Sequence, residues 1–211
     1  MYKKNAILAF VLYFLSFFVF FADTAYCDKG IFPRIMESYN SIKDIKGDFH
    51  QKSTLKDLDK TLTFDGVFYI KIPKKMYWRY GGQDLQEVLI IGDKITIYQE
   101  EQEQVIRSSF NSETIGQTPI ALLSGLMDAQ KDYVIFEKGD FARLIPKGGF
   151  VNVKYIDIYP SESSFPIKTI IVTDKNMNEI EIKLEDVKIN TNVEDTVFEI
   201  TPPVGVVYVD N

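Results

Sequence analysis

His50 and Cys27 are the only histidine and the only cysteine in 211 residues. They are the chain's whole supply of imidazole and thiolate, too little for the clustered soft ligands of a zinc centre. General acid–base catalysis most often recruits histidine, but His50 lies in the strand-like stretch GDFHQKS, with no neighbour in sequence that marks the ring for activation. Ser108, Ser109 and Ser124 stand in no strand–turn–helix nucleophile pattern. Glu100-Glu101 and the alternate pair Glu179 and Glu181 have the spacing of solvated turns and strand faces. Gly148-Gly149, after Pro146-Lys147, joins two strands instead of opening a helix beneath a phosphate. A hydrolase would rest on lone serines and His50. No catalysis, metal or cofactor is expected.

The chain's surplus is apolar and aromatic, with 16 Phe, 12 Tyr and one Trp. Such side chains lining a concave sheet bind an acyl chain by burial, at about 0.8 kcal/mol per methylene removed from water. The same residues could fill a dry core, and periodicity alone does not separate the two. The net charge of −6 disfavours nucleic acid and anionic membrane surfaces, which repel an acidic protein at long range.

These residues must be positioned by a chain that opens like an export signal. Lys3 and Lys4 precede an apolar run from Ile7 to Ala22, and Ala25-Tyr26-Cys27 before Asp28 loosely fits a cleavage site. Lipidation of Cys27 would want a small residue where Tyr26 stands, so cleavage after residue 27 is the expectation, leaving 28–211 as one domain. With Cys27 gone, no disulfide can form, and the domain must hold by burial alone.

Ile31, Phe32, Ile35, Met36, Tyr39, Ile42 and Ile45 recur at intervals of three and four, which predicts an amphipathic helix from near Ile31 to before Gly47, with Pro33 in its first turn. From Gly47 the period becomes two. Phe64, Phe68, Ile70 and Ile72 share one parity, as do Met76, Trp78 and Tyr80, while Val67, Tyr69 and Tyr77 take the other. Further strands are expected over 87–91, 94–99, 104–109, 133–137, 141–146, 151–160, 167–174 and 179–187, with links too short for parallel crossovers. TPIALLSGLM interrupts them as a short helix, with Thr118 as N-cap, Pro119 at the first helical position, and Ile120, Leu123 and Met127 on one face.

GVFYIKIPKKMYWRY (66–80), GDKITIYQEEQEQV (92–105), TPIALL (118–123), LIPK (144–147), the turn 174–179 and FEITPPVGVVYV (198–209) occur in order. Together they resemble the periplasmic outer-membrane lipoprotein carrier family, the LolA-like chaperones, over nearly all of 28–211. The resemblance implies an incompletely closed antiparallel β-barrel of about eleven strands, mainly β with an α lid over a hydrophobic cavity. It implies a monomeric carrier that takes acylated lipoproteins from an ATP-driven releasing complex of the inner membrane and delivers them to an outer-membrane receptor. Carried onto this chain, the acyl cavity comprises Phe64, Phe68, Ile70, Ile72, Trp78, Ile95 and Ile97. The lid comprises Ile35, Tyr39, Ile120, Leu122, Leu123 and Met127, and Met76 near the mouth is the partner contact. One departure stands out: members carry arginine before the proline at this strand end, where it hydrogen-bonds to the lid, and this chain has Ile72 before Pro73. A lipid-anchored acceptor with the same barrel, retaining Cys27, and a periplasmic lipid- or glycolipid-binding module are the alternatives.

Overall fold

A computed structural model describes residues 30–82, 85–110, 123, 126, 129–148 and 152–210. Period-two segments make up most of it. The first meander runs through β1 (Asp44–Leu55), β2 (Lys60–Lys71), β3 (Lys75–Tyr80), β4 (Gln86–Ile91), β5 (Lys94–Gln99) and β6 (Gln104–Ser109). The second comprises β7 (Tyr133–Lys138), β8 (Phe141–Pro146), β9 (Val153–Pro160), β10 (Ile167–Asp174) and β11 (Glu179–Ile189), and β12 (Val207–Asp210) follows them. Pairing of β1 with β11 joins both meanders into one sheet, in the order β12-β6-β5-β4-β3-β2-β1-β11-β10-β9-β8-β7. Among the described residues no ladder links the edge strands β7 and β12, so the sheet is not fully closed.

The expectation of antiparallel ladders holds for every described pairing except one. β12 lies parallel to β6. The segment 190–206 carries the chain from β11 to the far edge of the sheet, where β12 joins β6. It crosses the convex face, where Asp195 accepts hydrogen bonds from Lys71 (2.7 Å) and Lys75 (3.1 Å). Those hydrogen bonds, and then the two ammonium charges, hold the Asp195 carboxyl below its usual range. Phe198 is buried on this strap, with the Lys75 ammonium 5.9 Å from its ring centre.

The predicted helix is shorter than its apolar pattern. α1 spans Ile31–Tyr39 with Pro33 in its first turn, and Ile45 belongs to β1. Tight bonds from Ser41 N to Ser38 O and from Ile42 N to Tyr39 O end the helix. The chain is then captured by its neighbours: Lys43 N donates to Asn190 Oδ1, and the buried Asp44 carboxylate accepts from the backbone of Thr191 and Asn192. Ile42 and Ile45 remain buried because the strand they enter feeds the same core, so burial continued after helical periodicity had stopped.

Two cross-strand pairs shape the concave face. Gly47 stands opposite Phe68, and Phe49 opposite Gly66. A methyl group on Gly66 would strike the Arg79 carbonyl and lie 2.6 Å from the Phe49 ring; on Gly47 it would lie 2.9 Å from Glu185 O and 3.2 Å from the Phe68 ring. Each glycine thus leaves room for the opposing ring to lie across the strand. Phe49 uses that room to pack against Trp78 (5.0 Å between ring centres) and Tyr80 (5.4 Å). Gly66→Ala is expected to destabilise the fold by about 3 kcal/mol or more in urea unfolding, because backbone must move. Gly81→Ala, whose added carbon would meet only Asp65 O at 3.6 Å, should cost under about 1 kcal/mol.

Candidate functional site: the concave face and its cover

The registers place the inward residues of β1 to β6 in three rows. One runs Ile45, Ile70, Met76, Ile90, Ile95 and Ser108; the next Gly47, Phe68, Trp78, Val88, Ile97 and Ile106; the third Phe49, Gly66, Tyr80, Gln86, Gln99 and Gln104. The face is therefore apolar in its first two rows, Ser108 on the edge strand β6 excepted, and ends in a border of uncharged amides. Gln104 Nε2 donates to Gln99 Oε1 at 2.7 Å, and Tyr80 donates to Gln51 Oε1 at 3.0 Å. From the other half of the sheet, Leu144, Ile156, Ile158, Ile170 and Ile182 join the same core.

α1 covers this face with Ile31, Phe32, Ile35 and Tyr39, all buried. Polar ties hold its two ends. At the first turn, both Glu137 carboxylate oxygens accept backbone N–H groups, Oε2 from Ile31 and Oε1 from Phe32, each at 3.0 Å. At the last turn, the Tyr39 hydroxyl donates to Leu123 O at 2.8 Å, and its ring lies 5.8 Å from that of Phe165. Full burial pushes the Tyr39 hydroxyl's pKa far up, so it stays a neutral donor.

The residues assigned to the acyl cavity do come together on one face. Phe68, Ile70, Trp78 and Ile95 are fully buried, while Phe64, Ile72 and Ile97 are half-buried. All but Phe64 belong to, or pack against, the core cluster that also holds Ile31, Phe32, Ile35 and Tyr39, while the Phe64 ring meets that of Tyr80 at 5.7 Å. Met76 is interior too, 1 % exposed, so a partner can touch its side chain only if its surroundings move. Met76 shares its row with Ile70 and Ile90, which sets its side chain on the interior face and not at a mouth. Of the lid residues, Ile35, Tyr39 and Leu123 lie in the core cluster. Ile120, Leu122 and Met127, with most of the 118–127 segment, fall outside the described residues.

Periodicity did not single out Phe49, Ile90, Leu126, Phe165 or Glu137. Glu137 shares the inward parity of β7 with Tyr133 and Ile135 but lies at the exposed end of the strand, where an acidic residue carries no signal of its own. One described cleft, about 290 Å³, opens at the amide-bordered end, between Ser53, Leu55, Val153, Val172 and Ile180. Another, about 300 Å³, separates α1 at Ile31, Arg34 and Ile35 from the β9–β10 loop at Pro160 and Pro166.

His50 has a partner after all, Asp65, directly across the ladder, with Nδ1 2.7 Å from Oδ1. Both side chains are open to solvent (39 % and 81 % exposed) on the convex face. Ser108 and Ser109 lie on β6, with β2 to β5 between them and His50. Among the described residues no group of His, Cys, Asp and Glu is arranged to hold a metal ion.

A curled, unclosed sheet with an apolar concave face under a tethered helix defines a class of β-shell with an α lid. The model of the family described as outer membrane lipoprotein carrier protein LolA matches residues 40–201. The chain belongs to that family. Relatives named outer-membrane lipoprotein carrier protein include one from Halorhodospira halophila, 26 % identical over 184 residues (84 % of each chain), and one from Pseudoalteromonas translucida, 28 % identical over 174 residues (82 % of this chain, 83 % of the relative). A third, from Neisseria gonorrhoeae, is 27 % identical over 192 residues, covering 89 % of this chain and 90 % of the relative. In fold the chain is similar to a conserved protein of Thermus thermophilus, with TM-score 0.55 at 9 % identity, covering 85 % of this chain and 98 % of that one. It is also similar to a DUF1329 family protein of Desulfovibrio piger, with TM-score 0.50 at 14 % identity, covering 80 % and 94 %.

Tyr39→Phe keeps the ring and removes the donor, leaving the Leu123 carbonyl buried without it. It should cost about 1–2 kcal/mol in denaturant unfolding, with an unchanged m-value showing that the compactness of the fold is retained.

Proposed function

We propose that this chain is a periplasmic chaperone that shelters the acyl chains of lipoproteins released from the inner membrane and delivers them to the outer membrane. The observation that carries this reading is the apolar concave face, covered by a nine-residue helix and not by a second sheet. Residues 1–27 act as the export signal and are removed. Cargo comes from an ATP-driven releasing complex and passes to an outer-membrane receptor, and the carrier works as a monomer without catalysis or cofactor. Phe64, Phe68, Ile70, Ile72, Trp78, Ile95 and Ile97 contact the acyl chains once the lid, with Ile35, Tyr39, Ile120, Leu122, Leu123 and Met127, has lifted. Lifting also uncovers Met76 to the partner proteins.

Magnitudes favour such an exchange. Removing four large side chains of α1 from the core gives up roughly 6–12 kcal/mol, at about 1.5–3 kcal/mol each. A single sixteen-carbon chain, at about 0.8 kcal/mol per methylene, recovers a similar amount, and a second exceeds it. Transfer then follows differences in affinity between successive apolar sites.

The one tryptophan of the chain reports on the face directly. Titration with a triacylated lipopeptide is expected to shift Trp78 emission saturably, while the same peptide without acyl chains leaves it unchanged; no shift with either peptide would contradict the reading. At Ile72, whose side chain packs against the core, an arginine would bring back a charge-assisted tie to the lid. Ile72→Arg should slow lipopeptide uptake about tenfold, as one such bond would, and unchanged uptake and release in stopped-flow fluorescence would count against it.

A further inference from the structure

We propose that Glu137 is the latch of the lid, the residue that sets how readily α1 lifts from the concave face; this rests on the carrier reading above and names the control of that same site. The helix cannot cap itself. Its N-cap residue is Gly30, no side chain of its own caps the first turn, and no acidic residue stands there. The first N–H groups of a helix have no partner within it and carry the positive end of its dipole, so a carboxylate there is held by both hydrogen bonds and charge. Glu137 supplies it from β7, more than a hundred residues along the chain, with one oxygen for each of two N–H groups.

Position makes this contact a latch. Among the described residues, α1 joins the sheet covalently through 40–43, which lead from its C-terminal end into β1. Glu137 grips the opposite end, which must travel farthest when the helix swings about that connection. The grip is on β7, an edge strand of the sheet, so movement at that edge is transmitted to the lid without passing through the core. Gly30 is part of the device. A carbon added there would lie 2.8 Å from Glu137 Oε1 and 3.0 Å from Cδ, so any other residue would displace the carboxylate.

Two variants test this in the purified protein. Glu137→Gln keeps the shape but offers one acceptor and turns an NH2 group toward an N–H donor. Gly30→Ala keeps the charge and shifts it. Hydrogen exchange of the α1 amides should accelerate about tenfold in Glu137→Gln, in line with the loss of one charge-assisted bond, and by less in Gly30→Ala. Exchange in β1, β2 and β11 should stay unchanged, and uptake of a fluorescent triacylated lipopeptide should quicken in the same order. Unchanged α1 exchange in both variants, or acceleration spread equally over the sheet, would overturn the proposal. Faster α1 exchange in a protein that binds no acylated probe would uphold the latch and reject the carrier reading.

Discussion

The pairing of Gly47 with Phe68 and of Phe49 with Gly66 is the constraint on which the interior depends. Two glycines in a β ladder weaken it, and both positions here are occupied by a ring from the strand opposite. The rings bring Phe49, Trp78 and Tyr80 into mutual contact at the centre of the concave face. Close by, β11 carries one extra residue against β1, with Asp186 at positive φ, a bulge that bends the strand and adds twist. Curvature lets side chains from both halves of the sheet meet in one cluster. An apolar concavity of that size has to be covered, and α1 with Leu123 and Leu126 covers it.

The two faces differ in how they are fastened. The convex face uses charge: the Lys71 and Lys75 contacts to Asp195 hold the C-terminal strap, and Arg143 forms a two-pronged bridge to Asp157 beneath the ring of Tyr155, 3.7 Å from its centre. The hydrogen bonds to Asp157 raise the Arg143 pKa above its ordinary value. The concave face uses burial, with polar ties only at the ends of its cover. Burial is non-directional, so on the proposed reading an acyl chain replaces the helix's side chains on nearly equal terms. An ion-paired core could not be exchanged in that way, because separating its partners would leave charges buried alone.

Much of this was legible in the residues. Alternation over 64–80 placed Phe68, Ile70 and Trp78 on the face they occupy, and the order of weak motifs pointed to the family that the comparisons establish. What escaped had physical causes. Ile42 and Ile45 continued a helical spacing after the backbone had turned into β1, since apolar spacing records burial and not the element that achieves it. β12 was missed as a strand because all four of its residues are exposed and its pairing is parallel. Glu137 and Asp65 acquire their roles from partners that only the folded ladders bring near, the first turn of α1 and His50.

The central claim is that the concave face holds acyl chains belonging to proteins. Native mass spectrometry of the protein recovered intact from a bacterial envelope tests it most directly. A one-to-one complex with acylated lipoproteins, lost when acylation of the cargo cysteine is blocked, is the predicted result. Recovery with free phospholipid or glycolipid alone, and with no lipoprotein at any stage of purification, would contradict it.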